Sequence, residues 1–286
     1  MSRIFEALQQ AKSEAAVETG ALAPASAPHP AAAREGDGIQ ALEQVPSFTI
    51  HARPEQRLIV MTEEHSLASE KVRVLSTRLR NLQMRRHIKK VLITSSISEE
   101  GKSVISANLA LTMAMRGRKN TLLIGGDLRR PSVAKIFGAS ESPGLMEWWR
   151  SGTGSVRDYM RRVEGFPLWL LPAGDGLEQP LEILQSERCA RLMAQVGEWF
   201  DFIIVDSPPL TPMADSSVWI NLVDGVLLVV RAETTPKKIM QKTVESVEKS
   251  KLLGIIVNGS TDTQQHHYYY YRQDPQNSKK ETQAAD

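Results

Sequence analysis

The 286-residue chain has a single cysteine, Cys189, and few aromatic residues, which make up 6% of the sequence. A lone cysteine cannot form an intramolecular disulfide, so we expect a reducing compartment. Lysine and arginine (35) nearly balance aspartate and glutamate (33), which argues against bulk binding to nucleic acid. The sequence has no apolar run near the roughly 18 residues of a membrane helix, and no signal-peptide core. The composition therefore predicts a soluble cytoplasmic protein with no membrane span of its own.

Composition divides the chain into four segments. Residues 1–14 have apolar side chains at helical spacing and predict a short amphipathic helix. Residues 15–56 are rich in alanine and proline and predict a flexible linker. Residues 57–260 carry the apolar patterns of a folded domain. Residues 261–286 are polar apart from a block of tyrosines, so a disordered tail is expected there.

Short apolar runs alternate with helical patterns within the predicted domain. The runs predict strands at Lys90–Ser95, Thr121–Ile124, Leu168–Leu171, Phe202–Val205, Gly225–Val230 and Leu252–Val257. The longer patterns predict helices at Ser66–Arg86, Ser103–Arg116, Glu187–Trp199 and Pro236–Lys249. This alternation indicates an α/β fold, a doubly wound and mostly parallel sheet with helices on both faces. Such sheets bind ligands beyond the carboxyl ends of their strands, so the residues there are the first functional candidates.

The segment Ser96–Ser103 lies between a predicted strand and a predicted helix, and it ends in Gly-Lys-Ser as a P-loop does. In a P-loop the backbone amides and the helix N-terminus face phosphate oxygens. Lys102 would neutralise the β- and γ-phosphates, and the Ser103 hydroxyl would bind Mg²⁺. The alternative is an ordinary helix N-cap with an incidental Gly-Lys pair. The predicted nucleotide-binding residues of this loop are Ser98, Glu99, Glu100, Gly101, Lys102, Ser103 and Val104.

Two other predicted strands are followed by carboxylates. Asp127 comes shortly after Thr121–Ile124, and Asp206 comes directly after Phe202–Val205. A single aspartate after a strand is commonly a turn or cap residue. Two of them beside a P-loop instead predict a Mg²⁺–nucleotide site, because Mg²⁺ prefers carboxylate, phosphate and water oxygens. The candidate metal ligands are Ser103, Asp127 and Asp206, and Arg129 is a further candidate for the nucleotide.

With these motifs, the chain resembles the bacterial tyrosine autokinases of capsule and exopolysaccharide synthesis, over roughly residues 64–261. The resemblance is carried by Gly101-Lys102-Ser103, Asp127-Leu128-Arg129 and Asp206-Ser207-Pro208-Pro209. It implies a P-loop kinase fold, with ATP and Mg²⁺ as cofactors. It also implies catalytic roles for Lys102, Asp127 and Asp206. By analogy with the wider P-loop group, it implies an adenine contact for Asn258.

The resemblance extends to the tail, where Tyr268, Tyr269, Tyr270 and Tyr271 are adjacent. Tyrosine favours strands, but four adjacent side chains alternate between faces and cannot all be buried. The resemblance implies that they are the phosphoacceptors, presented in trans to a neighbouring subunit of a homo-oligomer. It also implies an activator, a membrane protein of the chain-length-determinant type, that holds the kinase at the inner face of the cell membrane.

The chain departs from the family pattern at several positions. Gly125 stands where the family has the first aspartate of Asp-x-Asp, and Ser98-Glu99 stand where it has Pro-Gly. Glu70 and Arg73 match a family oligomerisation motif whose last arginine is Ser76 here. These departures keep open a catalytically weakened nucleotide-binding scaffold that regulates polysaccharide assembly. A partitioning-type ATPase is a third possibility, but its signature lysine is replaced by Ile97.

Overall fold

One sheet of eight strands organises the part of the chain that the structure, a computed structural model, describes: residues 42–117, 119–175, 180–211 and 214–260. The strands are β1 Ser47–Phe48, β2 Lys90–Ser95, β3 Thr121–Gly125, β4 Arg161–Val163, β5 Leu168–Leu171, β6 Phe202–Asp206, β7 Gly225–Arg231 and β8 Leu252–Asn258. The α-helices are α1 Ile59–Thr62, α2 Leu67–Arg86, α3 Lys102–Gly117, α4 Val133–Ile136, α5 Leu145–Ser151, α6 Pro180–Leu184, α7 Glu187–Trp199, α8 Ala214–Leu222 and α9 Lys237–Ser246. Two short 3-10 helices lie at Pro54–Gln56 and Val156–Tyr159.

The strand order is β1-β4-β5-β3-β6-β2-β7-β8, and every neighbouring pair is parallel except β4 with β5. Strands β1 and β4 therefore run opposite to the other six. In the centre of the sheet, β6 lies between β3 and β2, and its last residue, Asp206, pairs with Gly125 on one side and Ile93 on the other. The predicted mostly parallel sheet is confirmed. It brings the carboxyl ends of the three site-bearing strands together.

The sheet is covered on both faces because its central strands are apolar along their whole length. Leu92 belongs to one buried cluster with Cys189 of α7 and Trp219 of α8, whereas Val91 and Ile93 belong to a second cluster beneath α2 and α3. Successive side chains of a strand point to opposite faces, so one strand contributes to both clusters. The prediction of helices on both faces is confirmed by these two clusters.

The folded region begins earlier than the sequence indicates. Residues 15–56 are predicted as a linker, yet Leu42 and Val45 are buried, and β1 pairs with β4 at the edge of the sheet. The boundary at residue 57 is therefore too late, since a strand of two residues shows no periodicity. The predicted helix at residues 1–14 and the predicted tail at 261–286 lie outside the described residues. Among the residues that are described, no helix combines the length and apolarity needed to cross a membrane.

Candidate active site

The predicted site residues converge where β2, β3 and β6 end. The P-loop connects β2 to α3, and Lys102 is the first residue of that helix. Asp127 follows β3 by two residues, and Asp206 is the last residue of β6. Because β6 lies between β2 and β3 and is parallel to both, the lysine and the two aspartates share one edge of the sheet.

Lys102 and Asp127 form a largely buried ion pair. Lys102 Nζ lies 3.1 Å from Asp127 Oδ2 and 3.5 Å from the Ser103 hydroxyl oxygen. The other carboxylate oxygen of Asp127 accepts a hydrogen bond of 3.0 Å from the Arg130 amide. The aspartate is thereby fixed from both sides, and it fixes the lysine at the start of α3.

Asp206 is fully buried and incompletely satisfied. Its Oδ1 accepts a hydrogen bond of 3.1 Å from the Ser106 hydroxyl, whereas its Oδ2 has no hydrogen-bond partner among the described residues. Burial raises the pKa of Asp206 to about 6, although Lys102 and the hydroxyls of Ser103 and Ser106 oppose the shift. Asp127 contributes further to the raised pKa. A buried carboxylate oxygen without a donor is energetically unfavourable unless a cation or a proton meets it.

The donor set fits Mg²⁺. A hydroxyl (Ser103) and two carboxylates (Asp127 and Asp206) are hard oxygen ligands, and the unpaired Asp206 oxygen leaves one of them available. Two carboxylates face a single ammonium group, so the cluster has an excess of negative charge that a divalent cation would offset. Such a site needs phosphate oxygens or water to complete the six ligands that Mg²⁺ requires.

The P-loop has two residues in the left-handed backbone region, Glu99 with φ of 67° and Gly101 with φ of 90°. A Cβ atom on Gly101 would overlap the Asn258 side-chain amide, so the glycine is required by both conformation and space. The same Asn258 amide donates a hydrogen bond of 2.9 Å to the Glu100 carbonyl. Asn258, predicted to contact adenine, thus contacts the P-loop backbone in this structure.

The other predicted residues of the loop lie in different surroundings. Ser98 and Glu99 are exposed, whereas Glu100 is buried and its carboxylate accepts a hydrogen bond of 2.9 Å from the Ile97 amide. Val104 packs against the core beneath α3. Of the two adjacent glutamates, one therefore points into the protein and serves as a hydrogen-bond acceptor.

Arg129 is held by an aspartate that the sequence analysis does not identify. Its Nε lies 2.6 Å from Asp215 Oδ2, and a second guanidinium nitrogen lies 3.3 Å from Oδ1. The Asp215 side chain, on α8, is 2% exposed, whereas the Arg129 side chain is 39% exposed. Hydrogen bonding to Asp215 raises the pKa of Arg129 above its ordinary value. No sequence motif marks Asp215, because its partner is 86 residues away.

Gly125, which stands where the family pattern has an aspartate, lies close to the backbone of another segment. A Cβ atom at this position would lie 2.8 Å from the Ala173 amide nitrogen, in the segment that follows β5. Backbone atoms cannot move aside as a flexible side chain can, so the space beside Gly125 excludes any side chain in this arrangement. The absence of a carboxylate at residue 125 therefore agrees with the close packing of the end of β3 against the segment that follows β5.

The oligomerisation motif and the tyrosines can be placed only in part. Arg73 pairs with Glu70 and also with Glu64, at 3.2 Å. Ser76, which replaces the last arginine of the motif, is buried, and its hydroxyl contacts Met113 of α3. The four tyrosines at 268–271 lie outside the described residues.

A P-loop with two acidic strand ends on a mostly parallel sheet defines the P-loop NTPase fold. No family model matches the chain. The tyrosine-protein kinase YwqD of Bacillus subtilis is 35% identical over 210 residues, which are 73% of this chain and 88% of that protein. The succinoglycan biosynthesis transport protein ExoP of Rhizobium meliloti is 34% identical over 173 residues, 59% of this chain and 22% of ExoP.

A solved structure agrees with these relatives. The chimerical protein CapA2B2 matches with a TM-score of 0.65 and 27% identity, over 78% of this chain and 97% of that one. The chain belongs to the bacterial tyrosine-protein kinases. The family indicated by the sequence motifs is thereby confirmed.

Proposed function

We propose that this protein is an ATP- and Mg²⁺-dependent tyrosine autokinase that phosphorylates Tyr268, Tyr269, Tyr270 and Tyr271 of a neighbouring subunit. The observation that carries the proposal is the unpaired, buried Asp206 oxygen beside the Lys102–Asp127 pair. This arrangement combines a fixed cation for phosphate with an incompletely satisfied oxygen ligand for a metal. A site that only had to be stable would instead pair its buried oxygens.

The residues have separate roles in the proposed reaction. Lys102 and the P-loop amides hold the β- and γ-phosphates of ATP. Ser103, Asp127 and Asp206 hold Mg²⁺, which when bound neutralises phosphate charge and aligns the γ-phosphate. The tyrosine oxygen forms a bond to the γ-phosphorus as the bond to the β–γ bridging oxygen breaks and ADP leaves. Because tyrosine has a pKa near 10, its proton passes to a carboxylate, for which Asp127 and Asp206 are the candidates.

The same proposal extends to the cellular role. The name of the relative ExoP refers to the biosynthesis of succinoglycan, a polysaccharide, and this supports a role in regulating exopolysaccharide or capsule synthesis and export. The matching structure is a chimera, which supports a kinase that works with a second protein. We therefore propose a cytoplasmic homo-oligomer that associates with the inner face of the cell membrane through a chain-length-determinant-type activator, without binding nucleic acid.

One observation favours a second candidate, a nucleotide-binding scaffold with little transferase activity. The space at Gly125 excludes the carboxylate that the family pattern places there. If that carboxylate is needed for metal orientation or proton transfer, the site would bind nucleotide and transfer phosphate slowly. The two candidates differ in one measurable quantity, the rate at which tyrosine is phosphorylated.

Mapping of phosphotyrosine by mass spectrometry separates them. The full chain is incubated with Mg-ATP, with and without the cytoplasmic segment of the activator. We expect phosphate on Tyr268–Tyr271, and we expect its loss when all four are changed to phenylalanine, with ATP affinity unchanged. The matched control is Tyr159→Phe, because Tyr159 is the one tyrosine of the sequence outside the cluster and packs against the core. Bound ATP without any phosphotyrosine would support the scaffold.

A further inference from the structure

We propose that Glu100 is a positioning residue that ties the P-loop to the end of β7 through Thr235, so that the loop is arranged for phosphate before nucleotide binds. The inference rests on the proposed function, because it deepens the role of the same loop. It concerns a carboxylate that sequence reasoning places at the nucleotide, and a threonine that no motif identifies.

Glu100 first closes the loop on itself. Its Oε2 accepts a hydrogen bond of 2.9 Å from the amide of Ile97, three residues earlier. The intervening Ser98 and Glu99 are exposed, and Glu99 has the positive φ that lets the chain reverse. The carboxylate thus satisfies a loop amide from within, and the turn does not depend on a bound anion for its shape.

The other carboxylate oxygen connects the loop to a different part of the chain. Oε1 accepts a hydrogen bond from the Thr235 hydroxyl and a longer one, of 3.4 Å, from the Arg231 amide. Arg231 is the last residue of β7. The Thr235 amide donates a hydrogen bond of 3.0 Å to the Arg231 carbonyl, so the two residues close one tight turn. Since β7 pairs with β2, this turn lies beside the strand from which the P-loop leaves.

Burial makes this connection energetically significant. Glu100 is 1% exposed, and a buried carboxylate is tolerated only when donors satisfy it. The Ile97 amide and the Thr235 hydroxyl are the main donors here. The Arg231 amide adds a weaker one, because its shorter bond, of 2.9 Å, goes to the Thr235 hydroxyl oxygen. A second tie comes from β8, where the Asn258 amide bonds the Glu100 carbonyl. Both the side chain and the backbone of one P-loop residue are therefore anchored to the ends of neighbouring strands.

The expected consequence is an effect on nucleotide affinity. A loop that is already ordered loses less conformational entropy when it binds phosphate. Removal of the Thr235 hydroxyl should free the loop without touching any group that meets ATP. The free energy of one hydrogen bond to a charged group corresponds to about a tenfold change in a dissociation constant. We therefore expect the loss of the Thr235 hydroxyl to raise the dissociation constant for ATP by about that factor.

The test is titration of the full chain with Mg-ATP, together with steady-state phosphorylation rates. We expect Thr235→Val to raise the Kd and the KM for ATP about tenfold while kcat changes less than about twofold. Thr235→Ser, which keeps the hydroxyl, should restore wild-type affinity. The matched control is Thr234→Val, because Thr234 is exposed and adjacent.

A second variant checks that the two residues act together. Glu100→Ala should also weaken ATP binding, and combining it with Thr235→Val should add little, because Glu100→Ala already removes the acceptor of the Thr235 hydroxyl. A Kd for Thr235→Val within twofold of that for Thr234→Val overturns the inference, as does full additivity of the two changes. If the wild type binds ATP without phosphorylating tyrosine, the proposed function fails while the affinity comparison still decides this inference.

Discussion

Two charged clusters at the same edge of the sheet are built on opposite principles. In one, Lys102 faces both Asp127 and Asp206, and one buried carboxylate oxygen has no donor among the described residues. In the other, Arg129 and Asp215 are matched one to one, and both carboxylate oxygens are bonded. The carboxylate of the matched pair has both oxygens hydrogen-bonded, whereas the unmatched cluster is favourable only with a further cation or a proton. This difference indicates that the first cluster serves the proposed reaction, whereas the Arg129–Asp215 pair serves to hold the surrounding structure.

The largest expected effect comes from removing the single ammonium of the unmatched cluster. Lys102→Met should lower the phosphorylation rate by at least about 100-fold, as does the loss of a fixed group that stabilises a charged transition state. The measurement is phosphotyrosine formation under saturating Mg-ATP, with urea unfolding as the control for folding. Undiminished phosphorylation in a folded variant would remove Lys102 from the site.

The unmatched cluster should also show opposite effects on stability and function. Burial raises the pKa of Asp206 from 3.8 to about 6 in the folded chain, so the folded state disfavours the ionised carboxylate. The stability associated with its protonated form is present below pH 4 and is lost as the pH rises through about 6. Asp206→Asn removes that penalty and keeps an acceptor for the Ser106 hydroxyl.

We therefore expect Asp206→Asn to unfold at higher urea than the wild type above pH 6, with a gain of about 3 kcal/mol that disappears near pH 4. The unfolding is measured without Mg²⁺ or nucleotide. The same variant should bind Mg-ATP weakly, because it loses one of the proposed metal ligands. A variant that is less stable than the wild type at pH 7.5 would contradict this account of the cluster.

Adding a third carboxylate to the unmatched cluster tests whether its composition is limited by space or by charge. From the family pattern alone, Gly125→Asp is expected to accelerate autophosphorylation. The 2.8 Å approach of a Cβ to the Ala173 amide reverses that expectation. Both Gly125→Ala and Gly125→Asp should lose about 1–3 kcal/mol of unfolding free energy, the usual effect of overpacking. If Gly125→Ala is as stable as the wild type, lack of space is not what excludes a side chain at residue 125.

The matched pair should respond unequally to the loss of either partner. Arg129→Leu leaves the buried Asp215 carboxylate without its cation, whereas Asp215→Asn leaves a partly exposed guanidinium that water can reach. We expect Arg129→Leu to lower the unfolding free energy by about 2 kcal/mol, less than for a fully buried pair, and Asp215→Asn by about 1 kcal/mol. Chemical denaturation of both variants measures the difference, and equal losses would show that exposure does not control this pair.

The inner strands of the sheet were predictable from the sequence, whereas the short strands at one side of the sheet were not. Strands β2 and β5 match their predicted bounds, because each contains a short apolar run, Val91–Ile93 in β2 and Leu168–Leu171 in β5. Strand β4, Arg161–Val163, is too short and polar to show a period, so its antiparallel pairing with β5 was missed. Helix α9 ends three residues before its predicted end, at Ser246.

The same division applies to the site. Asp127 and Asp206 were predictable because parallel strands bring their ends together whatever the intervening sequence. Asp215 and Thr235 were not, because each acts through a partner more than 80 residues away. Their residue types are ordinary for a helix start and a turn. Only the packed structure shows that a P-loop glutamate points inward to meet that threonine.

The hydrogen bond between Asn258 and the P-loop also limits how far apart two subunits can lie if one phosphorylates the other. Asn258 ends β8 at the P-loop backbone, and Tyr268 follows ten residues later. A fully extended chain of that length spans at most about 35 Å, and the three further residues to Tyr271 add about 10 Å. In any assembly in which one subunit phosphorylates another, Asn258 of the subunit that supplies the tyrosine must therefore lie within about 45 Å of the point where that tyrosine's Cα sits beside the ATP site of the other subunit. Arrangements of subunits that exceed this separation are incompatible with transfer to the tyrosine cluster.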